Sequence, residues 1–527
     1  MEMSSESQIW VVPFFGQGHL FPSMELCKHI ASRNFNTTFI ISSNLLSSVP
    51  ASFQEHPLID VAEIPSSPPS TPPEPNSDLP HHPRHHHSGL TQGIEKLLEN
   101  ASRRPSCAII DVMMDWTGDA FKKFKIPTIG FLTSGACAST LEYAMWKDRI
   151  VDIKPGETRL LPGLPEEMAL TDSDLKRGPP PPGVGGRFGF RRGPHGPPPP
   201  PGHGFPLGPP GGPGPQRRGP PQRGGQPPWV EVANHTVALM INSCNELEGP
   251  FFAYLANQIG KPVWGVGPLL PQELWKSSDS LLHDREIRAN KQSNVTEDEV
   301  MEWLDSKPRG SVLYVSFGSE VAPTKEELEQ LADALEASNR PFIWVIQPGS
   351  GRPRPPPGPP QFLGNQPDPN DVPMEAEPEP EPESYFPHGL DQKVGKRGLI
   401  IQGWAPQLLI LSHPSTAGFL SHCGWNSTVE ALARGVPLLA WPIRGDQHYN
   451  AKLVVNYLKV GCRISENPSQ ERIMKDDITN GIEKLMGNDE FKKQAVIISD
   501  IFHHGFPASS AAALDAFKEF ILNQNAN

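Results

Sequence analysis

Two stretches of the chain, four hundred residues apart, carry side chains able to do acid–base and anion chemistry. The first is Gly16-Gln17-Gly18-His19, which follows an apolar run at 9–15 and opens a helical pattern at 21–33. In open α/β sheets ligands collect at the carboxyl ends of strands, so such a turn faces a cleft. A dinucleotide fingerprint would need a third glycine where Phe21 stands and an acid about twenty residues on, where 36–40 offers none, which argues against a nicotinamide site. His19 sits at a helix N-terminus, whose dipole disfavours the imidazolium and leaves a base available near neutral pH. Alone, a histidine is more often a packed or surface residue. Asp111 ends an apolar strand at 107–111 and should open onto the same cleft, where a carboxylate could orient the imidazole and steady its protonated form. Asp115 is its rival, and either could be a loop acid or a helix cap.

The second stretch is His422-Cys423-Gly424-Trp425-Asn426-Ser427, between an apolar strand at 417–421 and a helix at 427–434 that stops at Gly435. A helix N-terminus presents unpaired amides and partial positive charge, and Gly424 would let a phosphate approach the backbone, so diphosphate binding without a metal is chemically available. Ser427-Thr428-Val429-Glu430 also spells a capping box, in which Glu430 would only reach back to the Ser427 amide. Trp404 could stack a base or fill the core. Asp172-Ser173-Asp174 and the histidines of 81–87 could in principle hold a metal, but the first adjoins a Pro/Gly-rich run and the second reads as a solvated loop.

Apolar runs of four to eight residues alternate with helical-period segments at both ends of the chain, the pattern of parallel strands joined by crossover helices. The expected strands are 9–15, 37–42, 107–111, 128–132 and 237–242 in one half, and 311–317, 342–347, 398–402, 417–421 and 436–441 in the other. A further helix is expected at 325–338, with Leu328, Leu331 and Leu335 in a stripe. The fold class is therefore α/β, two doubly wound domains. The expected boundaries are 1–260, a linker at 261–275, 276–500, and a C-terminal segment at 501–527. Of the 63 prolines, 38 fall within 66–90, 178–228 and 349–384, three low-complexity insertions that cannot bury enough apolar surface to fold alone. Their proline runs read as surface linkers, with recognition by SH3- or WW-type partners as the alternative.

A formal charge of -13 argues against nucleic acid as a partner, since phosphate binding needs a basic excess. The six cysteines are scattered without metal-like spacing, as suits a reducing cytoplasm. Neither a basic leader with an apolar core nor an apolar run of about 18 residues is present, so no integral membrane association is expected.

Residues 404–447, WAPQLLILSHPSTAGFLSHCGWNSTVEALARGVPLLAWPIRGDQ, closely resemble the signature box of plant family 1 UDP-sugar glycosyltransferases. PFFGQGHLFPSMEL near the start, INSCNELE at 241–248, WGVGPLLP at 264–271 and SVLYVSFGS at 311–319 support the likeness, which covers nearly everything outside the three insertions. The resemblance implies the GT-B fold, two Rossmann-like domains facing across a cleft, with a C-terminal helix within 511–522 crossing back to the first domain. It implies Trp404 under a uracil with Gln407 at its edge, and Glu430 on the ribose hydroxyls. His422, Asn426, Ser427 and Ser319 would hold the diphosphate; Trp425, Asp446, Gln447 and Thr133 would meet the sugar. Gln447 as the closing residue resembles the UDP-glucose version of the box. His19 would be the base and Asp111 its partner in an inverting transfer of glucose from UDP-glucose to a hydroxyl, or a nucleophilic carbon, of a small phenolic, flavonoid or terpenoid acceptor. No metal or other cofactor is implied. The insertions at 66–90 and 178–228 fall where the family walls its acceptor pocket, which leaves a catalytically weak nucleotide-sugar binder with partner-recruiting loops as the second reading.

Overall fold

The structure is a computed structural model and describes residues 7–65, 84–175, 225–276, 292–351, 385–465 and 472–526. Most of the three low-complexity segments, and the readings placed on them, lie outside the described residues. Where the first segment is described, at its end, it is not a loop. Arg84–Asn100 is a helix, because Leu90, Ile94, Leu97 and Leu98 form an apolar stripe that packs on Trp10 and Ile110. The second segment ends similarly, with Pro228 opening the helix Pro228–His235 at the position where a missing N–H costs nothing.

The first sheet contains β1 (Gln8–Val12), β2 (Asn36–Ser42), β3 (Ile59–Ile64), β4 (Cys107–Asp111) and β5 (Thr128–Leu132). After a small antiparallel pair, β6 (Thr158–Arg159) and β7 (Leu170–Thr171), it is completed by β8 (Ala238–Ile241) and β9 (Val263–Gly265). Its order is β3-β2-β1-β4-β5-β8-β9, all parallel. The second sheet uses β10 (Val312–Ser316), β11 (Phe342–Ile346), β12 (Gly398–Gln402), β13 (Thr416–Ser421), β14 (Leu438–Ala440) and β15 (Gly461–Arg463) in the parallel order β12-β11-β10-β13-β14-β15.

All ten expected strands are present, shortened where the run extended into a turn: 9–15 shrinks to β1 because Pro13 cannot donate to the ladder. Besides the short β6–β7 pair, three strands of the two large sheets were not expected. β3 is an edge strand whose apolar run is broken by Asp60 and Glu63, β15 is too short to show a pattern, and β9 lies inside the stretch expected as a linker. Paired to β8 in register Met240↔Trp264, β9 extends the first sheet instead. The helix Ala508–Ala526 crosses back to the first sheet, burying Leu514, Phe517 and Ile521 in the core on one of its faces, with the Phe517 ring 5.9 Å from Trp264 of β9 and 6.0 Å from Phe35. Thr324 caps Lys325–Ala337 through a reciprocal bond with Glu327.

A buried ion pair ties the two lobes together. Lys452 Nζ, on the helix Gln447–Lys452, donates to Asp174 Oδ2 at 2.7 Å and to the Ala169 carbonyl at 2.6 Å, with both charged side chains almost fully enclosed. Asp174 also accepts from the Thr171 amide. Removing one partner strands the other in low dielectric, so Lys452→Met should cost about 3–5 kcal/mol in urea denaturation; an unchanged midpoint would show that the pair is solvated in the native protein. Among the described residues, no helix is long and apolar enough to cross a membrane.

Candidate active site

In both sheets the strand order reverses once, between β1 and β4 in the first and between β10 and β13 in the second. Each reversal splays the following loops apart and leaves a crevice at the strand ends. The Gly16 to His19 turn follows β1, Asp111 ends the adjacent β4, the turn holding Ser319 follows β10, and His422 to Ser427 follow β13. These two crevices open on one cleft of about 1150 Å³. Every residue to which the family resemblance gives a role lines it except Asp111, which is buried directly behind His19.

His19 Nδ1 lies 2.7 Å from Asp111 Oδ2. The contact exists because β1 and β4 are hydrogen-bonded neighbours in register Val12↔Ile110, so the loop after one strand hangs over the end of the other. The Asp111 side chain is 0% exposed and its second oxygen accepts from the Met113 amide at 2.9 Å, which fixes its orientation. That carboxylate is acceptor-only, so Nδ1 carries the proton and Nε2 keeps its lone pair toward the cleft. Asp111, not Asp115, is thus the partner. Burial opposes the imidazolium, but the Asp111 carboxylate, with Glu320 and Asp446 further off, outweighs it and raises the His19 pKa above 6.5. This corrects the expectation from the helix dipole alone: the nearby full charge prevails over the partial charges of the helix end.

Thr133 does not simply face a sugar. Its hydroxyl lies 2.9 Å from His19 Nδ1, and its carbonyl accepts from Asn242 Nδ2 at 3.1 Å. Next to it, Ser134 donates to Asp446 Oδ2 across the cleft at 2.7 Å, and Asn450 holds the same oxygen at 3.1 Å.

The helix Trp425–Ala433 begins with Gly424 as its N-cap, so Ser427 already lies inside its first turn and the capping-box reading of Ser427 and Glu430 fails. Glu430 is instead a fully buried carboxylate taking a 2.6 Å bond from Gln407 Nε2, which also reaches Ser427 Oγ at 3.1 Å, while Gln407 Oε1 accepts from Tyr314 at 3.1 Å. The Gln407 amide is therefore committed to the protein, where a base-edge contact was expected. Trp425 differs in the same way: its indole N–H donates at 2.6 Å to the Asn242 carbonyl of the other lobe, and a Cβ at Gly135 would fall 2.7 Å from its ring. Its indole nitrogen is not free for a sugar hydroxyl. Asn426 Nδ2 donates at 3.1 Å to the Gly18 carbonyl. That carbonyl is available because its helical donor would be residue 22, a proline.

His422 is buried beneath Gly318 and Gly424, and a Cβ on Gly424 would stand 2.4 Å from its Nε2. Close approach of the imidazole is what demands glycine there. Burial drops the His422 pKa to about 4; a backbone hydrogen bond with Ser316 opposes this in part, and Arg444 adds a smaller repulsion. It is neutral at pH 7 and could act on an anion through an N–H, not through charge. Gln447 Oε1 accepts from the Ile443 and Arg444 amides, both at 2.9 Å, so its remaining NH2 is oriented as a donor. Trp404 is half-buried on the cleft wall and Ser319 is exposed at its rim. Asp172 and Asp174 are buried, the latter in the ion pair with Lys452, and among the described residues no three His, Cys, Asp or Glu side chains converge as a metal site.

Sequence reasoning missed Ser134, Glu142, Asn242 and Glu248. Glu248, in the INSCNELE motif, caps the helix Ala136–Lys147 by accepting from the Ala136 and Cys137 amides at 2.9 and 2.7 Å, which anchors the turn carrying Thr133 and Ser134. The motif was legible as a family mark; its use as a distant cap was not.

A doubly wound lobe presenting an activated imidazole, facing a second lobe that presents a helix N-terminus and a buried carboxylate, defines a two-substrate transferase architecture. Comparison with known proteins narrows it. The family model of UDP-glucuronosyl and UDP-glucosyl transferases matches residues 282–516. UDP-glycosyltransferase 73C5 of Arabidopsis thaliana is 31% identical over 419 residues, covering 77% of this chain and 70% of that protein. A scopoletin glucosyltransferase of Nicotiana tabacum is 26% identical over 506 residues, covering 91% and 89%. Among solved structures, a UDP-glucosyltransferase from Polygonum tinctorium capable of glucosylating indoxyl superposes with a TM-score of 0.64 at 24% identity, covering 98% of each chain. A UGT transferase from Siraitia grosvenorii in complex with UDP gives 0.65 at 22%, covering 98% and 100%. The fold is GT-B, and the chain belongs to plant family 1 of the UDP-dependent glycosyltransferases.

Proposed function

We propose that the protein transfers glucose from UDP-glucose to a hydroxyl of a small phenolic or terpenoid acceptor, with inversion and without a metal. The observation that carries this reading is the Asp111–His19 pair, with Nε2 free, opening on the same cleft as the 404–447 box. His19 Nε2 takes the acceptor proton. The oxygen attacks the anomeric carbon, the bond from that carbon to the diphosphate oxygen breaks, and UDP leaves. Asp111 stabilises the imidazolium so formed. Amide groups at the start of Trp425–Ala433 and the neutral imidazole of His422 meet the charge on the departing diphosphate. Trp404 offers a face for the uracil and Glu430 an acceptor for ribose hydroxyls. Gln447 donates its held amide to the sugar, and Asp446 accepts from it. UDP-glucose as donor rests on Gln447 closing the box, and the relatives include a protein named as a scopoletin glucosyltransferase.

Incubation with UDP-glucose and a panel of flavonoids and simple phenols should yield glycosides and equimolar UDP; no product with any acceptor while UDP still binds would leave only the nucleotide-sugar-binding reading. Glu430→Ala should weaken UDP binding in calorimetry by about 1–3 kcal/mol, the range for hydrogen bonds to a charged group. The same affinity in a variant of unchanged melting temperature would remove Glu430 from the ribose site.

A further inference from the structure

The acceptor side of the cleft is built mainly from apolar groups: Phe21 and Met24 of the helix Gln17–Ala31, Val112 and Met113 after β4, and Trp229. Into this wall the helix Ala136–Lys147 projects Glu142, one turn beyond Ala138 and Ser139, which also line the cleft. The helix starts just after the Thr133–Ser134 turn that touches His19 and Asp446, so Glu142 belongs to the same rigid element as those contacts. A carboxyl group half-buried in an apolar wall costs free energy unless a partner meets it.

The structure supplies little to offset that cost. Among the described residues, the cleft lining holds four acids, Glu142, Glu320, Glu430 and Asp446, and no lysine or arginine. Burial, and then repulsion from Asp446, push the Glu142 carboxyl up to about 7, and the indole of Trp229 opposes this only in part. Glu142 and His19 line the same cleft from different elements, and Asp446 acts on both. Glu430 is taken up by Gln407, Asp446 by Ser134 and Asn450, and Glu320 by Arg444, whereas Glu142 has only the neutral Trp229 indole beside it among the described residues and keeps acceptor capacity for a ligand hydroxyl.

We propose that Glu142 is the specificity-determining residue of the acceptor site, pairing with a second hydroxyl of the acceptor, away from the one that is glycosylated, and barring acceptors that carry a carboxylate. This inference rests on the proposed transfer reaction and names the acceptor class it takes. A site built to hydrogen-bond a hydroxyl rejects the analogue lacking it, because its own polar group is then left unpaired.

The test compares wild type, Glu142→Leu and Glu142→Gln on three acceptors: a flavonoid diphenol, the matching monophenol, and a phenol bearing a carboxylate. Wild type should prefer the diphenol, and Glu142→Leu should lower its kcat/KM by about tenfold or more, mostly through KM, while the monophenol is unchanged or improved. Glu142→Gln should retain most of the diphenol preference and admit the carboxylate acceptor. Equal losses on diphenol and monophenol, or an unchanged ratio between them, would overturn the assignment. Acceptor binding read by tryptophan fluorescence separates this from the reaction itself. A diphenol preference that Glu142→Leu erases in binding, without turnover in wild type, would refute the transfer reaction and keep the site; turnover with an unaltered preference would refute the site alone.

Discussion

Replacing His19 by alanine should abolish glycoside formation while leaving calorimetric UDP affinity within about twofold of wild type. The loss expected for a positioned general base is about 10²–10⁴ in rate, and it should fall on kcat because the imidazole acts as the acceptor proton moves. In the proposed reaction UDP is held by the other lobe, so its binding is a control for folding. Unchanged turnover would remove His19 from the mechanism. The pH dependence has a definite sign. The base must be neutral, and its pKa lies above 6.5, so kcat/KM should rise with pH through a value higher than that of an ordinary histidine. Glu142, at about 7, titrates in the same cleft, so the profile should be repeated in Glu142→Gln to isolate the His19 limb. The raised pKa also means that protonated His19 stabilises the folded state below its unfolded pKa, a contribution lost as pH rises through the folded value.

Asp111→Asn should be nearly as damaging as loss of the imidazole, about 10²–10⁴ in kcat, with little change in the fold. The substitution is isosteric, and the asparagine oxygen can still accept from the Met113 amide as Asp111 Oδ1 does at 2.9 Å. The amide nitrogen then faces His19 Nδ1 as a donor. That forces the proton onto Nε2, where the lone pair is needed, and withdraws the charge that favours the imidazolium. The acidic limb of the profile should move to lower pH. If the variant retains half or more of wild-type kcat, the carboxylate neither selects the tautomer nor stabilises the cation.

Much of the fold was legible locally. Strands buried on both faces read as continuous apolar runs, and all ten expected from the sequence lie in the two sheets, whereas β3, β9 and β15 escaped because an edge position, a glycine-rich context and extreme shortness erase that signal. The helix start at Trp425 was misplaced by two residues, and with it the capping reading of Ser427, since Gly424 offers no capping side chain to betray the boundary. The helix Arg84–Asn100 was missed altogether, because proline and histidine dominate the composition where it begins, although the stripe that anchors it lies further on.

By itself the sequence determined which chemical groups are available and on which strand ends they sit: an imidazole after β1, a carboxylate ending β4, and a glycine-led helix start after β13, because apolar periodicity and turn residues are local properties. Only the tertiary structure decided what each group is doing. The register of β1 on β4 makes His19 and Asp111 a pair; the apposition of the lobes gives the Trp425 indole, the Asn426 amide and the Asp446 carboxylate to partners in the other lobe; and burial leaves His422 neutral. Those outcomes depend on which surfaces meet and on how much water the meeting excludes, and neither quantity is carried by the spacing of residues along one strand or helix.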